Sequence, residues 1–135
     1  ILITVDADNQ HKAQYVKHFI KKLKKFDIVV GKRNFFNRKV EKKISDMCYK
    51  KFNIKDPLSG MKGYKIKTVS KYIYKLKKNI NYQGMFFFHW LGYLSISNIN
   101  ITVRRSGKIS STGSGKKINT EFLTSYLKCS KLVIN

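Results

Sequence analysis

Acidic side chains are scarce: the 135 residues hold seven Asp and Glu against 29 Lys and Arg, a formal charge of +22. Such a surplus implies affinity for polyanions, whether nucleic acid, anionic lipid or phosphorylated substrates. The excess is mostly lysine and comes with much isoleucine and asparagine, so compositional bias shares in it. Cysteine is sparse too. Cys48 and Cys129 lie far apart and match no metal-ligand spacing, which excludes a cysteine metal site and suits two reduced thiols in a cytosolic compartment. Long apolar runs are missing. The longest, residues 85–96, is broken by His89 and Gly92 and falls short of the roughly 20 residues that span a bilayer. No signal-peptide pattern, internal repeat, interdomain linker or Walker pattern is visible. What remains is a globular composition, 42% hydrophobic and 13% aromatic, in a chain of one domain.

Because acids are so few, two of them close together stand out. The chain opens Ile1-Leu2-Ile3-Thr4-Val5-Asp6-Ala7-Asp8-Asn9-Gln10-His11. An apolar strand stops at two aspartates two residues apart. In extended backbone, residues i and i+2 share a side, so Asp6 and Asp8 can aim at one point past the strand end. Ligands of open α/β sheets bind at the carboxyl ends of strands. Hard oxygen ligands there suit Mg2+ or Mn2+ together with substrate phosphates. Two solvated loop acids are the plain alternative. The opening inside a strand, without Met, predicts a fragment.

Val16, Phe19, Ile20 and Leu23 recur at helical spacing, with Lys17, Lys21, Lys22 and Lys24 toward water. Residues 27–31 read as a buried strand. Strand, helix, strand implies a βαβ unit and a parallel sheet. A second helix is expected over residues 38–51, with Val40, Ile44, Met47 and Cys48 inward. Residues 56–60 form a turn cluster, residues 61–66 a strand, and Val69, Tyr72, Ile73 and Leu76 mark a third helix. Residues 84–94 are nearly all apolar and favour a helix. Residues 99–105 alternate as a strand. Residues 106–117, rich in Gly, Ser and Lys, predict a flexible surface loop, and residues 118–135 a C-terminal amphipathic helix.

Five short blocks then fall in order: Val5 to His11; Asp27-Ile28-Val29-Val30-Gly31-Lys32-Arg33; Ile44-Ser45; Asp56-Pro57-Leu58-Ser59-Gly60-Met61-Lys62-Gly63-Tyr64; and Val103-Arg104-Arg105-Ser106-Gly107. The series resembles glycosyltransferase family two, in particular the polyprenyl-phosphate sugar transferases. Over residues 1–110 the resemblance implies an α/β domain, the C-terminal part of a GT-A catalytic fold. It implies a mostly parallel sheet with flanking helices, and a nucleotide-binding N-terminal half that is missing. By similarity, Asp6, Asp8 and Gln10 would hold Mg2+ or Mn2+ on a nucleotide-sugar donor's diphosphate. Arg33 would meet the phosphate of a polyprenyl-phosphate acceptor, and its planar fork suits that anion. Ser45 would donate a hydrogen bond to the same phosphate. Asp56 and Ser59 would shape the acceptor side, and Arg104 or Arg105 would lie near the diphosphate.

The implied chemistry is one inverting displacement by an already anionic lipid phosphate, so catalysis rests on positioning and charge stabilisation rather than a general base. The catalytic residues would be Asp6, Asp8 and Arg33. The departures bear on activity more than on fold. Lys42 and Lys43 stand where the family carries Arg before the serine, Tyr82-Gln83-Gly84-Met85 lacks the family's acid, and Lys32 replaces its serine. Without the nucleotide half, the chain alone is expected to be inactive.

Other features divide between plain and functional readings. His11 is a solvated helix-start residue or a neighbour of the metal, His18 is solvated, and His89 is a core or interface residue. Trp90 with Phe86, Phe87 and Phe88 either packs in the core or meets lipid headgroups. The lysine-rich helix face and the C-terminal helix are solvated or packed, or they lie on an anionic membrane surface. Peripheral attachment at the cytoplasmic face follows from the resemblance. A basic nucleic-acid-binding domain is the alternative class, although no nucleic-acid motif is recognised and no specific nucleic acid is expected. A non-catalytic transferase remnant is the third.

Overall fold

The computed structural model describes residues 1–6, 11–71 and 94–104, together with Thr120 and Thr124. In chain order the elements are β1 (Leu2–Thr4), α1 (Tyr15–Leu23), β2 (Ile28–Arg33), α2 (Lys39–Phe52), β3 (Lys62–Tyr64), α3 (Ile66–Val69) and β4 (Ile96–Ile101). The four strands form one sheet in the order β1-β3-β2-β4. The protein is therefore α/β, as its alternation of strand and helix patterns implies.

The sheet is mixed, which corrects the expectation of a mostly parallel one. β1 and β2 do run the same way around α1, but they are not neighbours. β3 lies between them and is antiparallel to both, with Lys62 opposite Thr4 on one side and Val30 on the other. Among the described strands only β2 and β4 pair in parallel, from Ile28 opposite Ile96 to Arg33 opposite Ile101. The βαβ pattern reports strand direction. It does not report which strand fills the gap between the pair.

α1 forms because its apolar residues recur at helical spacing. It buries Phe19 and Leu23 over β3, where Gly63 leaves room: a Cβ there would lie 2.8 Å from Leu23 Cδ1. Ile20, expected on the buried stripe, is 40% exposed. Phe19 and Leu23 join Val29, Met61, Ile101 and Val103 in one cluster. Each such side chain contributes about 1.5–3 kcal/mol on burial. Ile28 and Val30 point the opposite way along β2 and are also fully buried, so both faces of this strand are covered.

α2 buries Val40, Glu41, Ile44, Ser45 and Cys48 along one stripe. Met47 falls outside that stripe and is exposed, against expectation. The helix ends at Asn53 in the left-handed conformation (φ 57°), which asparagine tolerates well. At the amino end of β2, the Asp27 carboxylate accepts hydrogen bonds from Ser95 N (3.0 Å), Ser95 Oγ (2.7 Å) and Thr68 Oγ1 (3.1 Å). Burial opposes its charge, but those bonds outweigh it and hold the carboxyl below its ordinary pKa.

Several boundaries move. β3 is shorter than residues 61–66. The third helix begins earlier, at Ile66, and residues 72–76 lie outside the described residues. β4 begins three residues before the expected 99 and ends at Ile101. The expected helix at 84–94 and loop at 106–117 lie outside the described residues. Of the tail, Thr120 and Thr124 are described, and both are helical.

Candidate functional site

β1, β2 and β4 all point one way, so their carboxyl ends share one end of the sheet. β3 enters the sheet at that same end through the turn at residues 56–61. Asp6 follows β1, Arg33 closes β2, Arg104 follows β4, and Asp56, Ser59 and Lys62 come with the turn and β3. Four of the five sequence blocks thus meet by topology alone. The fifth, Ile44-Ser45, arrives on α2.

Arg33 lies at the centre. Its Nε donates to Asp56 Oδ2 at 2.8 Å and its Nη2 to Asp56 Oδ1 at 3.1 Å, a two-pronged pair, and its backbone N–H donates to Oδ2 at 3.1 Å. Nη2 also donates to Glu41 Oε2 at 3.1 Å. The other oxygen of Glu41 accepts from Arg38 Nη1 at 2.9 Å. Nη1 of Arg33 has no hydrogen-bond partner among the described residues. The guanidinium carbon lies 5.5 Å from the centre of the Phe36 ring, within range for a cation–π contact. Burial disfavours the Arg33 charge, but the bonds and charges of Asp56 and Glu41 outweigh it and raise its pKa.

The turn makes the second half of the site. Asp56 and Ser59 are fully buried. Ser59 Oγ accepts from Met61 N at 3.3 Å, which tightens the turn into β3. Thr4 Oγ1 donates to Gly60 O at 3.1 Å and draws β1 onto the turn. The Asp6 carboxylate rests against Gly60 so closely that an added Cβ would sit 1.9 Å from Oδ2. Lys62 is 3% exposed and its ammonium donates to the Ser59 carbonyl. Burial pushes its pKa down to about 8, with Arg33 acting the same way and the Asp56 and Asp6 carboxylates opposing.

Three cations (Arg33, Arg38, Lys62) thus gather near three anions (Asp6, Glu41, Asp56), while the whole chain carries +22. Attraction for an anion here depends on where the guanidinium edges point, not on local net charge.

The remaining expected residues fall as follows. The Ser45 hydroxyl is buried one turn after Glu41 and donates to the Lys55 carbonyl, tying α2 to the turn. Arg104 is exposed, and the preceding Val103 N donates to Asn34 Oδ1 at 3.0 Å, which holds this stretch beside the exit of β2. Asp8, Gln10 and Arg105 lie outside the described residues.

No group of three His, Cys, Asp or Glu side chains that could hold a metal occurs among the described residues. Asp6 supplies one carboxylate at the strand end, and it enters no salt bridge among those residues. Close by in sequence, both ring nitrogens of His11 are buried without a hydrogen-bond partner. Asp6 is the one implied metal ligand among the described residues, and its carboxylate is close enough to the buried Lys62 ammonium for its charge to act on that group.

Compared with protein-family models, curated proteins and solved structures, the chain matches none. No helix among the described residues is long and apolar enough to cross a membrane.

Sequence reasoning missed Glu41, Arg38 and Lys62. A signal existed for Glu41. It is one of seven acids, four residues before Ser45 on a lysine-rich helix, and that spacing places both on one face. Lys62 gave none, because a lysine in so basic a chain attracts no notice.

Proposed function

We propose that this chain is the metal- and acceptor-binding part of an inverting glycosyltransferase that moves a sugar from a nucleotide-sugar donor to a polyprenyl phosphate. The observation that carries the reading is the meeting of Asp6, Arg33, Asp56, Ser59 and Arg104 at one end of the sheet.

Asp6, with Asp8 and Gln10, would hold the Mg2+ or Mn2+. Bound there, the ion offsets charge on the donor's diphosphate as it leaves. Arg33 cannot offer its whole fork, since Nε and one terminal nitrogen are taken by Asp56 and Glu41. It offers the Nη1 edge, held rigid by Asp56, to an oxygen of the acceptor phosphate. Another oxygen of that monoester attacks the anomeric carbon. The new carbon–oxygen bond forms as the bond to the donor diphosphate breaks, with inversion. The nucleophile is already anionic, so no proton has to move. The chain's own work is to hold two anionic reactants in line. Attachment at the cytoplasmic face of a membrane, through lysine-rich surfaces such as that of α1, belongs to the same proposal.

The test is a Mn2+ titration of the 135-residue chain, read as paramagnetic broadening of backbone amide resonances, followed by addition of a short-chain polyprenyl monophosphate. Broadening should concentrate at Asp6 and Gly60, and the lipid phosphate should then shift Arg33 and its neighbours. Uniform broadening over the surface lysines and acids, with no focus at Asp6, would falsify the metal assignment. A nucleic-acid-binding domain would instead show its largest shifts with oligonucleotides. A non-catalytic remnant would bind the lipid phosphate while its natural full-length form, given donor and metal, transferred no sugar.

A further inference from the structure

The parallel ladder between β2 and β4 ends where Arg33 lies opposite Ile101. Past that point the stretch leading to Arg104 is tied down by side chains from two other places. The Thr102 N–H donates to the Tyr15 hydroxyl at 2.9 Å. The next N–H, that of Val103, donates to Asn34 Oδ1 at 3.0 Å. The Val103 side chain itself is buried in the core cluster. Hydrogen bonding to Thr102, with a smaller pull from Lys12, holds the Tyr15 hydroxyl below its ordinary pKa against the effect of burial.

Stability alone does not call for the Tyr15 bond. Thr102 is exposed, and water satisfies an exposed N–H. What the bond does is fix a path. α1 joins two strands that run the same way, so it runs back against them and begins at their carboxyl end. Tyr15 is its first residue, and α1 is the helix that follows Asp6. Asn34 comes directly after Arg33. One tether therefore starts from the segment that follows Asp6 and the other from the segment that follows Arg33. Both end on the two residues before the exposed Arg104.

We propose that Tyr15 and Asn34 are positioning residues for Arg104: by holding the two peptide groups before it, they fix its backbone at the carboxyl end of the sheet, so that its guanidinium meets the donor's diphosphate from a set base. This rests on the proposed function, in which Arg104 lies near that diphosphate, and adds the residues that hold it there. The guanidinium fork suits phosphate oxygens. An exposed arginine loses conformational freedom when it binds, and a backbone already fixed removes the main-chain share of that cost.

The experiment measures binding of inorganic pyrophosphate with Mg2+ to the 135-residue chain at physiological ionic strength, where diffuse attraction to the surface lysines is screened. Circular dichroism and thermal unfolding monitor the fold of each variant. Arg104→Ala should weaken binding roughly tenfold, the size of one charge-assisted contact. Tyr15→Phe and Asn34→Ala should each weaken it roughly fivefold, the cost of ordering one residue's backbone on binding. Added to Arg104→Ala, neither should weaken it further, because the arm they hold is gone. Binding of a short-chain polyprenyl monophosphate, which meets Arg33 instead, should be the same in Tyr15→Phe as in the unaltered chain. If Asn34→Ala does not fold, Tyr15→Phe carries the test, since the N–H it frees lies open to water.

Unchanged pyrophosphate affinity in either folded variant, with Arg104→Ala impaired, would overturn the positioning role of that residue and leave the reading of Arg104 intact. Equal losses with and without Arg104, or an equal loss of monophosphate binding in Tyr15→Phe, would show a general disturbance of the site and would also overturn it. Unchanged binding in Arg104→Ala would instead remove the diphosphate reading on which the proposal stands.

Discussion

Asp56 holds Arg33 by three hydrogen bonds, two to the guanidinium and one to the backbone N–H of the same residue. The side chain and main chain of Arg33 are thus fixed by one carboxylate that water does not reach. Breaking a buried pair from one side leaves an uncompensated charge and costs about 3–5 kcal/mol. Asp56→Ala should lower unfolding free energy by that order in urea titrations. A loss below about 1 kcal/mol, the worth of an exposed pair, would show that the pair is solvated.

Gly60 should be irreplaceable for the ion and replaceable for the fold. Alanine there would place its Cβ 1.9 Å from Asp6 Oδ2. Asp6 follows the end of β1 and is exposed, so it can move away without unpacking the core. Gly60→Ala should weaken Mn2+ binding roughly tenfold to a hundredfold, as displaced support of a ligand does, with little change in thermal midpoint. Unaltered Mn2+ affinity would separate Asp6 from the cation.

Lys62 makes a prediction about pH. Its folded pKa of about 8 lies below the ordinary 10.5. Between these values the unfolded chain binds more protons than the folded one, so stability contributed by this group rises with pH across that window and is lowest below about pH 8. Tyr64 acts in the opposite sense. Burial raises its pKa above the ordinary 10.0, so above about pH 10 the unfolded chain ionises first and stability falls. Denaturation midpoints should therefore climb from pH 8 toward pH 10 and then turn over. Lys62→Met, apolar and of similar length, should remove the climb and raise stability at pH 7. A climb that survives the substitution would have to come from another group.

Binding to anionic vesicles should be real, weak and steeply salt-dependent, because the charge of +22 works through released counterions and is screened within about 10 Å at 0.1 M salt. Lys17 and Lys21 lie exposed on α1, and Lys24, also exposed, caps its end. Reversing all three to Glu should cut vesicle binding while leaving Mn2+ binding unchanged. Binding to one DNA sequence that persisted at high salt would point to the nucleic-acid reading.

The helices and strands were legible wherever one residue pattern had one cause. Phe19 and Leu23 announced α1 because a helix buries what recurs at its period. Ile28, Val29 and Val30 announced β2 because a strand covered on both faces is apolar throughout. β3 was harder: Lys62-Gly63-Tyr64 is too short for alternation, and its place in the sheet depends on partners 58 to 62 residues away in β1 and 32 to 36 residues away in β2. In the site, Asp6 was legible from its strand end, and Arg33, Asp56 and Ser59 from the ordered blocks. The salt-bridge lattice was not, because a pairing such as Arg33 with Glu41 depends on how α2 sits on the sheet. No spacing in the chain encodes that placement.

The position of β3 also governs the order in which this protein can come together. During synthesis β1 and β2 emerge before β3, and neither pairs with the other because the slot between them belongs to Lys62–Tyr64. The second neighbour of β2 comes later still, at Ile96–Ile101. Until β3 leaves the ribosome, β1 and β2 lack the strand that joins them in the sheet. Contacts that span so much sequence form slowly, and unpaired strand edges recruit other chains. A nascent chain arrested before residue 62 should engage holding chaperones, and one arrested after the sheet is complete should let them go.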